Sequence, residues 1–251
     1  MNDLLSERQK IEKNYHNLKY SSDNLTNSVV RESTAHKYFA SLIGDVKDLR
    51  VLDYGCGKGW IGVNLAKSGA DVYGIDISEE LLKQARNLSK VEEVSDKIHF
   101  IEMSGENLTF ENDYFDLVLG SSILHHTEIS LSLNNILRVL KPDGRAIFIE
   151  PLNQNIFLRL WRKITPGRRS PAEKALTNNE LELIRKTFAE SKFIFFTFLS
   201  IFSEGLLILL PRNKLLLFFN DLMEMFDKLI LKVVPSLGKY SAVVVLDLRK
   251  K

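Results

Sequence analysis

Cysteine is all but missing from this chain: its 251 residues contain one, Cys56. A single thiol cannot close a disulfide within the chain, so a disulfide-stapled fold is excluded and a reducing compartment is the natural setting. An excess of charge of one sign is missing too. The 34 lysines and arginines stand against 32 aspartates and glutamates, a formal net charge of +2 that is too mild to make nucleic acid an expected partner. Low-complexity linkers and internal repeats are absent, and with 45% hydrophobic residues the chain can bury one substantial core, so residues 1–251 are expected to form a single domain. The first 13 residues are polar and charged and lack the apolar segment of a secretory signal, which makes the cytoplasm the expected location. No uninterrupted membrane span is present either. Residues 193–210 come nearest, but they contain Glu204 and Gly205 and run at once into Pro211, and a carboxylate near the centre of a span is costly.

What is present is an alternation of short apolar runs with amphipathic stretches, the mark of βαβ units. Strands are predicted at 50–54, 71–75, 98–103, 115–120 and 145–150, and helices at 61–67, 79–88 and 131–140. Ser78 is the expected N-cap of the second of these helices, with Glu79 and Glu80 in its first turn. A further helix at 32–43 ends at Gly44. Such a chain folds as an α/β, doubly wound sheet, and the right-handed crossover rule puts helices on both faces and ligand loops at the carboxyl ends of the strands.

The densest signal is Val51-Leu52-Asp53-Tyr54-Gly55-Cys56-Gly57-Lys58-Gly59-Trp60, an apolar strand end, an acid and three alternating glycines. Glycine permits the sharp strand-to-helix turn and lets a ligand approach without meeting a Cβ. The acid selects the ligand. A dinucleotide lays its pyrophosphate against such a loop, and a carboxylate at the strand end opposes it, whereas a cationic ligand is favoured. The segment Gly57-Lys58-Gly59-Trp60-Ile61-Gly62 also satisfies the dinucleotide pattern G-x-G-x-x-G, and Asp76 lies 76 − 57 = 19 residues on, near the spacing of a ribose-binding acid. In that pattern, however, the first glycine follows the strand directly, and Gly57 comes four residues after Asp53.

In these residues the chain resembles the class I, Rossmann-like S-adenosylmethionine-dependent methyltransferases, over roughly 51–150. The resemblance implies S-adenosylmethionine as cofactor, whose ammonium and sulfonium suit Asp53, with the loop formed by Tyr54, Gly55, Cys56, Gly57 and Gly59, Cys56 being small filler. It implies ribose hydroxyls on Asp76, followed by Ile77, and adenine against the turn of Ser104, Gly105 and Glu106. Relatives often carry an acid at the place of Ser104, so the adenine amine falls to the Ser104 hydroxyl or to Glu106. The loop Gly120-Ser121-Ser122-Ile123-Leu124-His125-His126 lies beneath the methionine part, where Ser121 joins the cofactor contacts. Leu140-Lys141-Pro142-Asp143-Gly144 is the family's turn before the fifth strand. Helix 178–189, strand 193–198 and an antiparallel last strand at 242–248 complete the expected fold.

Methyl transfer from a sulfonium needs mainly an aligned nucleophile about 3 Å from the methyl. For a hydroxyl acceptor a histidine is the sensible proton acceptor, which makes His125 and His126 the candidate bases, with Glu150 as an orienting acid. The fourth strand end offers serines and the fifth only Glu150, so no carboxylate cluster suits an oxygen-ligated ion and no metal is expected.

Residues 1–49 are read as an N-terminal helical cap, 50–150 as the cofactor core, and 151–251 as an acceptor-recognition segment with a helical, apolar insertion at about 199–239. Residues 151–172 hold Arg159, Arg162, Lys163, Arg168 and Arg169 and no acid, interleaved with Phe157, Leu158, Leu160, Trp161 and Ile164: an amphipathic helix with a basic face. Arg159, Arg162 and, near the amino terminus, Tyr15 are the candidate acceptor contacts; Tyr15, His16 and Tyr20 belong to a segment that in related enzymes closes over the cofactor. Apolar helices beside a basic segment suit a small or lipid-like acceptor and contact with the inner face of the membrane. The competing readings are a tRNA or other nucleic-acid methyltransferase using Arg159–Arg169 on phosphates, and a regulatory protein that binds the cofactor without transfer. The sequence carries no signal of oligomeric state.

Overall fold

The computed structural model describes residues 5–20, 33–164, 170, 174–209 and 213–250. Within them, β1 (Arg50–Tyr54), β2 (Asp71–Asp76), β3 (Ile98–Glu102), β4 (Phe115–Ser121), β5 (Leu140–Pro151), β6 (Glu190–Phe196) and β7 (Val243–Arg249) make one sheet in the order β3-β2-β1-β4-β5-β7-β6. The first five are mutually parallel, and β7 runs antiparallel to both β5 and β6. From β1 the chain winds one way through β2 and β3 and the other way through β4 and β5. A crevice therefore opens where the order reverses, outside the carboxyl ends of β1 and β4.

Period-two alternation divides the strand side chains between two cores. Leu52, Tyr54, Val118, Phe148 and Leu246 pack on one face, against Leu133 and Ile136 of α5 (Ile129–Val139) and Ile184 of α7 (Asn178–Thr187). Val51, Leu119, Ile147 and Val245 pack on the other, against Phe39 of α2 (Thr34–Ile43) and Val63 and Ala66 of α3 (Trp60–Lys67). Each large side chain removed from water in this way contributes roughly 1.5–3 kcal/mol. Ser78 caps α4 (Glu79–Val91) by accepting from the Leu81 amide, with Glu79 and Glu80 in the first turn, as its sequence predicts.

Two strands depart most from expectation. Strand β6 starts at Glu190, because Glu190, Ser191 and Lys192 pair with Arg249, Leu248 and Asp247 of β7, a partner effect that β6's own apolar run does not mark. It ends at Phe196, where Thr197 takes a φ of 61°. Strand β5 starts early, at Leu140, which pairs with Phe115 while Arg145 pairs with Leu117. The expected turn of Lys141–Gly144 thus bulges out within the strand, with Asp143 at φ 61°.

The remaining helices are α1 (Glu7–Tyr20), α6 (Ile156–Ile164), α8 (Ile201–Leu209) and α9 (Lys214–Val233). The insertion expected at 199–239 contains α8 and α9, and α9 is tied to α8 by one acid. Asp227, buried, accepts from the amides of Phe198 (2.8 Å), Leu199 (2.7 Å) and Ser200 (3.1 Å), placing an anion at the α8 N-terminus. Arg168, Arg169, Pro211 and Arg212 lie outside the described residues, and no described helix is long and apolar enough to cross a membrane.

Candidate active site

The crevice is a cavity of about 360 Å³, lined by the β1 loop, the ends of β2 and β4, the turn after β3, and α1. Of the residues anticipated as cofactor contacts, Tyr54, Gly55, Gly57, Asp76, Ile77, Ser104, Gly105, Glu106 and Ser121 line it, and His126 does as well. Gly57 has a φ of 52° and nothing within 4 Å of where a Cβ would be, so its backbone is open to a ligand. Gly105 is glycine for the opposite reason: a Cβ there would lie 2.1 Å from the Tyr54 hydroxyl.

Two carboxylates bracket the glycine loop. Asp76 accepts from the amides of Gly57 (3.0 Å) and Ser78 (2.8 Å), which fixes its carboxylate at the cavity wall. Burial pushes its pKa up, against the pull of the Ser78 and Gly57 hydrogen bonds. Asp53, 2% exposed, does not line the cavity; its carboxylate accepts from the Gly62 amide at 2.9 Å, at the start of α3. Burial pushes the Asp53 pKa up to about 7, opposed by the Gly62 hydrogen bond and reinforced by the charge of Asp76. Asp53 therefore acts on the cavity through space, as a charge behind the glycine loop. Cys56 and Gly59 also stand off the cavity lining, and burial pushes the Cys56 thiol well above its ordinary value, which fits filler and not a nucleophile.

After β4 the chain turns through Ser122 at φ 55° into a short 3₁₀ helix, Leu124–His126, which divides the histidine pair. His125 is buried, off the cavity lining, and its Nδ1 lies 2.7 Å from the Glu150 carboxylate. Glu150, fully buried, also accepts from the amides of Ile123 (2.9 Å) and Leu124 (2.8 Å). The His125–Glu150 pair thus clamps the loop, while His126 faces the cavity.

The cap helix α1 supplies contacts beyond Tyr15, His16 and Tyr20, the residues the sequence singles out there. Arg8 donates to the His126 carbonyl and to Glu106, Gln9 donates to the Ser104 hydroxyl at 2.8 Å, Lys13 bonds Glu102 at 2.6 Å, and Asn17 accepts from Ser78 at 2.6 Å. Gln9, Glu12 and His16 line the cavity. Their spacing of three and four residues is a polar stripe on one helix face, the one signal that could have revealed them. Glu106, held by Arg8 and by the Glu128 amide (2.9 Å), and Ser104, held by Gln9, fix the turn expected to meet adenine. Of the candidate acceptor contacts, Tyr15 sits on α1 with its ring 5.4 Å from that of His16 but off the cavity lining. Arg159 is exposed on α6 and off the lining too, and Arg162 lies in α6 with its side chain outside the description.

Residues 52–148 match the methyltransferase domain family. The chain is 35% identical over 109 residues to a ubiquinone biosynthesis O-methyltransferase of Aliivibrio fischeri (43% of this chain, 45% of that protein). It is 32% identical over 134 residues to a demethylmenaquinone methyltransferase of Lactococcus lactis (49% and 53%). The matched region thus spans about half the length of these curated relatives. Among solved structures, a magnesium protoporphyrin IX methyltransferase from Synechocystis with bound S-adenosylhomocysteine superposes with a TM-score of 0.60 at 18% identity, covering 98% of this chain and 100% of that one. At that identity the likeness is one of fold.

Proposed function

We propose that this chain, which belongs to the class I, Rossmann-like S-adenosylmethionine-dependent methyltransferases, transfers the methyl group of that cofactor to the oxygen of a small, lipid-like acceptor. The observation that carries the reading is the pair of carboxylates, the buried Asp53 and the half-buried Asp76, set about an open Gly57 at one cavity. That field favours a cationic ligand and opposes a pyrophosphate. The acceptor hydroxyl meets the sulfonium at the cavity corner of Glu12, His16 and His126, where it loses its proton; His125 and Glu150 hold that corner in place. The sequence relatives are named for ubiquinone biosynthesis and for demethylmenaquinone, which supports a quinone-like acceptor.

Ile156, Phe157 and Leu160 of α6 and Phe202 of α8 are exposed beside Arg159 and Lys163, and the rings of Phe157 and Phe202 meet at 4.0 Å. An apolar face edged by cations suits a protein that stays in the cytoplasm and touches the inner membrane surface, and fits a phosphate groove poorly. Calorimetry with S-adenosylhomocysteine and NADH tests the cofactor: the first is expected to bind, and tight NADH binding without it refutes the reading. Incubation with methyl-labelled cofactor and fractionated lysate, with and without membranes, tests the acceptor, and label in the lipid fraction is expected. Label appearing in RNA, with binding that weakens steeply in salt, would instead favour the nucleic-acid reading.

A further inference from the structure

Glu12 and His16 stand four residues apart on α1 and share a helix face, and the 3₁₀ turn after β4 brings His126 to the same point. Glu12 Oε2 lies 3.1 Å from His126 Nδ1 and 3.7 Å from His16 Nε2. One ligand atom from each of the three residues lies within 4.8 Å of the others. Ligands about 2.1 Å from a tetrahedral or octahedral ion stand roughly 3.0–3.4 Å from one another, so the corner is close to a coordination sphere as it is. We propose that Glu12, His16 and His126 bind a divalent transition-metal ion whose remaining coordination positions open on the cavity.

The donor set decides the class of ion. Two imidazoles and one carboxylate suit Zn2+, Co2+ or Fe2+ and are poor ligands for Mg2+ or Ca2+, which take oxygen. The Glu12 side chain is 2% exposed, so the carboxylate is already desolvated and its counter-charge must come from groups at this corner. Two of the three ligands come from α1, away from the carboxyl ends of the strands.

The chemical consequence rests on the methyl-transfer reading. An acceptor hydroxyl that displaces water from an open position is acidified by the ion; its O–H bond breaks and the proton leaves to solvent. The oxygen's electron pair then forms the new bond to the methyl carbon as the S–C bond breaks, and its electrons return to sulfur as a neutral thioether. The ion would also tie α1 to the β4 loop, closing the cap over the bound cofactor.

The test uses untagged protein freed of metal by a chelator and titrated with Co2+. Calorimetry is expected to show one ion per chain, with a visible absorption band characteristic of nitrogen-ligated Co2+ that Zn2+ abolishes. Glu12→Gln, which keeps the side chain's shape, and His16→Ala, on a half-buried position, are each expected to lower Co2+ affinity by more than the ~10–100-fold that loss of an outer-shell partner costs. Melting curves establish that both variants are folded. Absence of stoichiometric Co2+ binding, or unchanged affinity in the two variants, overturns the proposal. S-adenosylhomocysteine titrated in parallel keeps the two readings apart: its binding without Co2+ sinks the metal site alone, and Co2+ binding without it sinks the methyltransferase reading alone.

Discussion

Cofactor affinity should depend on pH through Asp53. Its carboxyl is buried, sits beside Asp76, and is pushed up to about 7. In the empty protein it is therefore largely protonated below neutrality, while a bound ammonium and sulfonium favour its ionised form, so binding expels a proton and affinity rises with pH. If only the ionised form binds well, the apparent dissociation constant carries a factor of 1 + 10^(pKa − pH), and affinity gains about tenfold, or about 1.4 kcal/mol, between roughly pH 6 and pH 8. The cofactor's own α-amino group loses its proton near the top of that range and works in the opposite direction. Asp53→Asn supplies the correction, since its amide oxygen can still accept from Gly62 while carrying no titrating charge. The assay is fluorescence of Trp60, which lines the cavity, titrated with S-adenosylmethionine across the range and repeated in the variant. The wild-type slope should exceed the variant's by about that tenfold; parallel slopes refute the electrostatic argument.

The same shift predicts a stability trend. Between the ordinary carboxylate value of 3.8 and about 7 the folded chain holds a proton that the unfolded chain has released, so the empty protein should lose stability as pH rises through that window and level off above it. Thermal melting of wild type against Asp53→Asn reads this, and a trend of the opposite sign counts against it. Glu150→Ala should destabilise by about 3–5 kcal/mol in chemical denaturation, because His125 and the amides of Ile123 and Leu124 lose a buried acceptor; a loss below about 1 kcal/mol would show the clamp to be dispensable. Gly57→Ala and Gly105→Ala should separate binding from folding. The first meets only the roughly 1 kcal/mol strain of a positive φ and obstructs the cavity, so it should weaken cofactor binding with little change in melting, whereas the second collides with Tyr54 and should lower the melting temperature. Asp227→Ala should unseat α8, since three amides and the Ser200 hydroxyl lose their acceptor, and limited proteolysis within 199–212 should become faster.

The division between what the sequence disclosed and what it withheld follows the range of the interactions involved. The β1 loop and Asp76 are legible because their constraints are local: a strand end, a positive-φ glycine and an acid act within a few residues, and those residue types have few other uses in that order. The bulge in β5 is legible in part, since Lys141–Gly144 is a turn by composition, but that the strand resumes on both sides depends on pairing with Phe115 and Leu117. The polar start of β6 is invisible without β7 for the same reason. Helix α1 is the instructive case. It places two buried polar residues, Gln9 and Glu12, where an amphipathic helix normally places leucine, so apolar periodicity leaves the inner face of the expected cap unmarked. Burying a carboxylate on a cap is costly unless something at the other side repays the desolvation, and that something is the Glu12–His126 contact and the cavity beneath. A polar stripe at helical spacing ahead of a cofactor domain is thus better taken as the inner face of a lid than as a solvated surface, and the acids and imidazoles on it as candidates for chemistry at the site it covers.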